Sequence, residues 1–483
     1  MTTRQNVLSN LIWRFLERCG AQLVTLFVSI ILARLLDPTV YGVVALVTVI
    51  TTVLQVFVDG GFATALIQKK DADDTDFSTV FYFNLIACII MYAIVFFVAP
   101  IIATFYKMPD LTAVIRVVSL IIVISGVKNV QQAYVSRNML FKRFFFATLG
   151  GTLGAAVVGI ALAYLGYGVW ALVGQMLFNT SVDTMILWIT VKWRPIKAFS
   201  IRRLKGLFAF GWKMLVANLI ATVNGQLRQL IIGKIYSSED LAFYNRGRQF
   251  PDLIVSNINT SIDSVLFPTL SNEQDNYSRV REMTRQSIKV STYIMAPLMM
   301  GLFACADTIV SLILTDKWLP CVPYLRIFCV SFFFYPIQTA NLNAIKATGR
   351  SNVLLKLEII KDVFSVMVLV FTMKFGTLII AYGMLGCSIF SQVVNSRPNR
   401  ETLKYTYKQQ LLDILPNGLM GIIMGIIVYS IGELHLKNGI ILALQIVIGA
   451  FVYILLSRLT KNSSFSYVLS IMKSTVVRKR IIK

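Results

Sequence analysis

The sequence is poor in the residues that metal and acid–base chemistry require. It contains one histidine, His435, and six cysteines, none of which forms a C-x-x-C pair. A single histidine argues against His-rich metal chemistry and against a His-dependent membrane enzyme. The cysteines lie mostly inside hydrophobic runs, as small buried apolar residues do. No phosphate loop, zinc spacing or nucleophile–base motif is present, so we predict no catalytic residue, metal or cofactor.

Charge is also scarce, and this sets the class of protein. Only 14% of the 483 residues are charged and 56% are hydrophobic, with a mean hydropathy of +0.71. A soluble domain is about a quarter charged. No polar connector is long enough to form an extramembrane enzyme domain. The composition therefore predicts an all-α polytopic membrane protein.

Hydrophobic segments long enough to cross a bilayer recur along the chain. We predict about 14 transmembrane helices, near residues 7–35, 40–67, 78–105, 111–134, 144–165, 168–191, 207–232, 243–270, 288–314, 320–345, 353–373, 377–394, 411–430 and 440–456.

Basic residues are concentrated in one set of alternate connectors. Together with Arg4 and the C-terminal tail, that set holds 31 Lys and Arg. The opposite set holds 6, namely Arg34, Lys107, Lys234, Lys317, Lys374 and Lys437. The positive-inside rule predicts that the rich side is cytoplasmic, with both termini on it. The net charge of +23 then reflects topology and attraction to the membrane surface, and we predict no nucleic-acid partner.

A weak internal repeat indicates two related halves. Residues 36–42 and 236–242 each follow a basic residue, Arg34 or Lys234, and each precedes a helix with a polar stripe. Six spans separate the two copies, so they share one orientation, as parallel repeats do. We predict a six-helix lobe at 1–200, a second at 201–400, two additional transmembrane helices at 401–460 and a basic cytoplasmic tail at 461–483.

Polar residues recur every three or four positions on spans one, two, seven and eight, which places them on one face of each helix. A charge at bilayer depth costs at least about 2.5–3.5 kcal/mol, so such a face should meet other helices or a water-filled cavity. We predict that the functional site is a polar cavity between helices. Its candidate polar or coupling residues are Asp59, Asn218, Gln226, Asp252, Asn259 and Asp263.

Two other patterns have a structural interpretation. Asp183, Asp307, Arg326, Glu358, Lys361 and Asp362 are more readily explained by mutual pairing, or by a location at span ends, than by a cavity role. Small residues recur on span five as Gly150, Gly151, Gly154, Ala155, Gly159 and Ala163. They predict close helix packing rather than a ligand site.

Several short stretches carry a family resemblance: GYGVWALV at 166–173, FAFGW at 208–212, LAFYNR at 241–246, LFPTLS at 266–271 and ATGR at 347–350. They resemble the polysaccharide transport family of the multidrug/oligosaccharidyl-lipid/polysaccharide exporter superfamily. QQAY at 131–134, with Arg137 and Phe141, is similar to the colanic-acid-exporter branch. The resemblance covers most of the chain and is weakest after about residue 395.

The resemblance implies a Wzx-type flippase with two six-helix lobes, two extra C-terminal helices, and helices one, two, seven and eight around a central cavity. It implies alternating-access transport of undecaprenyl-pyrophosphate-linked oligosaccharide across the bacterial inner membrane, for lipopolysaccharide or exopolysaccharide biosynthesis. A pyrophosphate needs basic partners in a wet cavity. Our candidates for these partners are Arg18, Arg246 and Arg248.

Two alternatives stay open at this point. A multidrug exporter of the same superfamily would favour an apolar, acidic cavity, which the basic stripe residues disfavour. A polysaccharide polymerase or acyltransferase would be a membrane enzyme, and polymerases usually carry a large periplasmic loop that the span map lacks. The sequence does not decide the sugar, the coupling ion (proton or sodium) or whether a polysaccharide polymerase is a partner.

Overall fold

The computed structural model describes residues 3–59, 62, 66–67, 69, 71–138, 140–434 and 436–470. His435 and residues 471–483 of the predicted tail lie outside this range, as does the side chain of Arg18. The described part is helical and contains no strand. Its helices are α1 (Thr3–Leu35), α2 (Pro38–Asp59), α3 (Asp74–Tyr106), α4 (Leu111–Val118), α5 (Leu120–Arg137), α6 (Phe141–Tyr164), α7 (Val169–Thr190), α8 (Ile201–Ile235), α9 (Ser238–Asn272), α10 (Tyr277–Ala304), α11 (Ala306–Leu314), α12 (Val322–Phe333), α13 (Tyr335–Ala347), α14 (Ser351–Thr372), α15 (Thr377–Leu403), α16 (Tyr407–Gly432) and α17 (Asn438–Leu459).

These helices match the predicted spans in order. Within the described residues, nine helical segments are long and apolar enough to cross a membrane; some consist of two consecutive helices, such as Leu111–Arg137. Five further long helices, α1, α7, α8, α9 and α14, occupy the remaining predicted spans. Polar residues lower their mean hydropathy, most clearly in α1, α8 and α9, which carry predicted stripes. The protein is an all-α polytopic membrane protein, as the composition predicts.

Side-chain caps fix where several helices begin. At the start of α3, Asp73 and Asp76 form a reciprocal capping box. Arg203, which donates to the Asp73 carboxylate, and the backbone N–H of Asp76 together hold the pKa of Asp73 at about 2. Ser237 and Asp240 make the same reciprocal arrangement before α9, with the Asp240 backbone nitrogen 2.9 Å from Ser237 Oγ. Such caps satisfy backbone N–H groups that have no partner within the helix.

By its internal contacts, the chain divides into two compact units, unit 1 (Met1–Ala242) and unit 2 (Phe243–Lys483). Unit 1 contains α8 because that helix packs against α2 and α3. The segment before α8 and the first turn of α8 are also attached to the start of α3. The indole nitrogen of Trp193 donates to Asp74 at 3.1 Å, and Arg203 of α8 pairs with Asp73, the N-cap of α3. The predicted lobes 1–200 and 201–400, helices 401–460 and tail 461–483 stay a prediction.

In unit 1, α6 and α7 pack closely along the small-residue stripe. A Cβ added at Gly151 would lie 2.7 Å from Oδ1 of Asn179, and one at Gly154 would lie 2.6 Å from the ring of Phe178. Real Cβ atoms essentially never show such short contacts. The prediction that this stripe serves helix packing is confirmed.

In unit 2, a buried polar network joins α13, α15 and α16. The amides of Asn341 and Gln410 bond reciprocally at 3.0 and 3.2 Å, and Asn399 donates to Asn341 Oδ1 at 2.7 Å. All three side chains are buried. In a bilayer, hydrogen bonds between helices satisfy groups that would otherwise be costly to bury.

Among the described glycines of unit 1, Gly42 of α2 makes the tightest approach to another backbone segment. A Cβ at this position would lie 1.7 Å from the carbonyl oxygen of Ser238, and backbone atoms cannot move aside as a side chain can. We expect Gly42→Ala to destabilise the protein by about 1–3 kcal/mol, the usual cost of overpacking. The midpoint of thermal unfolding in detergent measures this.

The matched control for Gly42 is Gly225 of α8, which has no atom within 4 Å of an added Cβ. Gly225→Ala should raise stability by up to about 0.8–1.0 kcal/mol, because alanine is the better helix former. A Gly42→Ala variant that unfolds at or above the wild-type temperature would contradict the close approach.

Candidate functional site

The polar stripe of α2 lines a cavity inside unit 1. The cavity has a volume of about 490 Å³ and lies among α2, α5, α7 and α8. Most of its lining side chains are polar; these are Thr51, Thr52, Gln55, Asp59, Asn179, Thr180 and Thr222. Their hydroxyl, amide and carboxylate groups can solvate a cation or hydrogen-bond a polar ligand.

One charged side chain, Asp59, lines this cavity, and it interacts with a neighbouring ion pair whose members are not lining residues. Asp59 accepts a hydrogen bond from Gln55 at 3.3 Å and lies close enough to Lys128 to interact with its charge. Lys128 pairs with Asp183 at 2.8 Å, and both side chains are about 15% exposed. When all three are ionised, the group carries one net negative charge. The wall therefore favours a bound cation.

Sequence reasoning missed Lys128 and Asn179 as parts of this region. Gln175, Asn179 and Asp183 recur every four residues on α7, a short polar stripe that was available as a signal. The prediction of mutual pairing is confirmed for Asp183 with Lys128, for Asp307 with Arg326 and for Glu358 with Lys361.

On α8, the predicted stripe is only partly directed to the cavity. Thr222 lines it, whereas Asn218 is exposed and Gln226 accepts a hydrogen bond from Gln229 at 2.7 Å. The structure thus brings Asp59 together with Thr222. The roles predicted for Asn218 and Gln226 stay predictions.

On α9, the two candidate arginines have different surroundings. Arg246 is 5% exposed, its guanidinium lies 4.9 Å from the ring centroid of Trp318, and it donates to Gln249 at 2.6 Å. Arg248 is half-buried, 5.9 Å from the ring centroid of Phe332, and forms no ion pair in the described part of the chain. Arg248 is the more accessible cation of the two.

The other stripe residues of α9 lie further along the same helix. Asp252 is exposed. The Oδ1 atom of Asn259 is buried and accepts no hydrogen bond from the residues that the structure describes. Asp263 accepts a hydrogen bond from Asn343 of α13 at 2.7 Å. The side chain of Arg18, the third basic candidate, lies outside the described residues. No group of three or more His, Cys, Asp or Glu in the described ranges could hold a metal ion.

The fold is that of a known class of membrane transporters. It is similar to the structure titled "Lipid II flippase MurJ, inward closed conformation", with a TM-score of 0.77 and 15% identity, over 94% of this chain and 98% of that one. It is also similar to an inward-facing multidrug resistance MATE family transporter of the MOP superfamily, with a TM-score of 0.62 and 16% identity, over 80% and 96% of the two chains.

The sequence comparisons show the family to which the chain belongs. A family model described as "Polysaccharide biosynthesis protein" matches residues 31–323, and the chain belongs to that family. The succinoglycan biosynthesis transport protein ExoT of Rhizobium meliloti is 24% identical over 95% of this chain and 94% of its own length. The teichuronic acid biosynthesis protein TuaB of Bacillus subtilis is 26% identical over 62% of this chain and 63% of its own length. The resemblance stated from the sequence motifs is confirmed.

Proposed function

We propose that this protein is a flippase that moves undecaprenyl-pyrophosphate-linked oligosaccharide across the bacterial inner membrane. The observation that carries the proposal is the combination of family membership with a lipid-flippase fold along 94% of the chain. Transport of this kind makes and breaks no bond, so the protein acts as a transporter in surface polysaccharide biosynthesis and not as an enzyme. The basic-rich connectors and both termini would face the cytoplasm.

Arg248 is our first choice for the pyrophosphate contact. A guanidinium binds phosphate oxygens through two parallel hydrogen bonds, and the described part of the chain offers Arg248 no competing ion pair. From the sequence alone, Arg18 stays a candidate for the pyrophosphate, and the amides of Asn218, Gln226 and Asn259 stay candidates for the sugar hydroxyls. The burial of Arg246 against Trp318 supports a packing role for that residue instead.

The cavity of unit 1 is our candidate for the coupling cation, proton or sodium. Asp59 lies in the cavity wall beside neutral oxygen ligands. Lys128 forms its ion pair with Asp183 and not with Asp59. A carboxylate beside neutral oxygen ligands can take up a proton or a cation and release it when the surroundings change. Asp252 and Asp263 stay coupling candidates from the sequence alone.

Asp59→Asn removes the charge and keeps the shape of the side chain. We expect it to reduce export of the lipid-linked unit by at least about tenfold, with the amount of protein in the membrane unchanged, because an amide cannot exchange a proton or balance a cation. Export is measured as surface polysaccharide restored in a deletion strain. Asp110→Asn is the control: Asp110 is the N-cap residue of α4, but its carboxylate is exposed and makes no capping hydrogen bond. Normal export by Asp59→Asn would reject the coupling role.

The alternative functions give different results in one experiment. A strain that lacks the protein should accumulate the complete lipid-linked unit on the cytoplasmic face. Loss of a polymerase would leave single units on the outer face, and loss of an acyltransferase would leave export intact. A multidrug exporter is favoured by one observation, the carboxylate of Asp59 in the cavity wall. Drug sensitivity of the deletion strain without accumulation of the lipid would support that alternative.

A further inference from the structure

A second cleft in unit 1 is formed where α3 and α8 end beside each other. It has a volume of about 500 Å³, and its walls are Pro100, Ile101, Thr104, Phe105, Lys107 and Lys234. The hydroxyl of Tyr106 donates to the backbone carbonyl of Leu230 at 3.4 Å and joins the two helix ends. None of these residues lines the cavity that holds Asp59.

The cleft contains two ammonium groups and no acidic side chain. Lys107 is the C-cap of α3, with a left-handed backbone held by bonds from its N–H to Ala103 and Thr104. Its side chain is exposed and forms no ion pair in the described ranges. The Lys234 ammonium donates to the carbonyl of Phe105 and lies 3.8 Å from the centroid of its ring. This leaves two of its three N–H groups for another acceptor.

The wall below the two lysines is apolar and uncovered. Phe97, Ile101 and Phe105 follow one another at four-residue spacing on α3 and are 75%, 68% and 55% exposed. Residues at this spacing lie along one helix face. The surface is therefore positive at the end of the span and apolar along it, the pattern of a lipid with an anionic head group and hydrocarbon chains.

The few basic residues on the basic-poor side of unit 1 are concentrated at this cleft, as Lys107 and Lys234. The basic-poor side of the chain has six Lys and Arg in its connectors, three of them in unit 1, and two of those three line this one cleft. A single cation at a helix C-terminus is explained by the helix dipole. That explanation accounts for Lys107 at the C-cap of α3 and for Lys234 in the last turn of α8, each taken singly. It leaves unexplained why the second ammonium lies in the same open cleft.

We propose that this cleft binds the phosphate head group of an anionic phospholipid, with the acyl chains along Phe97, Ile101 and Phe105. Lys107 and Lys234 supply charge-assisted hydrogen bonds to the phosphate oxygens. We assign a phospholipid rather than the polyprenyl-linked substrate because the cleft lies apart from the polar stripe and from the Asp59 cavity. The proposal goes beyond the proposed function and does not depend on it.

The test uses purified full-length protein in a neutral detergent, with thermal unfolding followed as phosphatidylglycerol is added. We expect wild type to be stabilised, and expect Lys107→Gln/Lys234→Gln to weaken the apparent affinity by roughly tenfold, as loss of charge-assisted contacts predicts. Lys107→Arg/Lys234→Arg should retain it. The control is Lys374→Gln, an exposed lysine next to an exposed phenylalanine, Phe375, which should respond as wild type.

Three outcomes would overturn the proposal. The first is an equal response of wild type and the Gln double variant to phosphatidylglycerol, which indicates only non-specific lipid contact. The second is an equal response to zwitterionic phosphatidylcholine, which removes the role of charge. The third is a lysine-dependent response to undecaprenyl phosphate that exceeds the response to phosphatidylglycerol, which assigns the cleft to the polyprenyl lipid instead.

Discussion

Arg248→Ala is expected to abolish export of the lipid-linked unit while the amount of protein in the membrane stays normal. Arg248 is half-buried and pairs with no acid in the described part of the chain, so its removal breaks no ion pair. Arg248→Lys should already reduce export by roughly tenfold, because an ammonium lacks the two-pronged geometry that suits a phosphate. Surface polysaccharide restored in a deletion strain measures export, and immunoblotting of membranes measures protein.

Arg246→Ala is the matched comparison on the same helix. Arg246 is buried against Trp318 and bonded to Gln249, so its loss should lower the amount of protein in the membrane rather than export per molecule. Export at the normal level by Arg248→Ala would reject the pyrophosphate role. If the Arg246→Ala protein is present in the membrane at the normal amount but does not export, Arg246 takes part in pyrophosphate binding.

Asp413→Ala is expected to lower stability by about 3 kcal/mol, because it removes several hydrogen bonds to one carboxylate, each worth about 1.5–3 kcal/mol when a partner is charged. The Arg285 side chain is 46% exposed, so its charge stays hydrated after the substitution. The Asp413 side chain is 5% exposed. It accepts two hydrogen bonds from Arg285, at 2.6 and 2.8 Å, and one from Tyr405 at 2.9 Å. Lys289 lies 3.1 Å away. The network joins α10 to α16, and thermal unfolding in detergent measures its contribution.

The control for Asp413 is an exposed pair on α10. Arg279 and Glu282 are 3.9 Å apart, with side chains 58% and 76% exposed. Such surface pairs contribute about 0–1 kcal/mol, so Glu282→Ala should leave the unfolding temperature nearly unchanged. If Asp413→Ala and Glu282→Ala lower the unfolding temperature equally, the buried Asp413 network contributes no more stability than an exposed ion pair.

The helices and their polar faces could be predicted because each depends on residues close in sequence. The stripe of Thr51, Gln55 and Asp59 follows from helical periodicity alone, and these side chains do line a cavity. The glycine stripe of span five likewise predicts close packing by its spacing. Local pattern was enough to find the right face of the helix in both cases.

The partner of each face could not be predicted in the same way. Trp318 is far from Arg246 in sequence, and only the fold places its ring against the guanidinium. Lys128 pairs with Asp183, which lies 55 residues further along the chain. Periodicity tells which residues share a face and carries no information about the helix that the face meets. The difference between Arg246 and Arg248, only two residues apart, has this origin.

The most direct test of the flippase proposal is translocation in a purified system. The full-length protein is reconstituted in liposomes with a fluorescent undecaprenyl-pyrophosphate-linked oligosaccharide, and a membrane-impermeant quencher reports the fraction in the outer leaflet over time. Wild-type protein should exchange the lipid between leaflets much faster than protein-free liposomes, and Arg248→Ala protein should not. Equal rates with wild-type protein and without protein, in the presence of either a proton or a sodium gradient, would contradict the proposal.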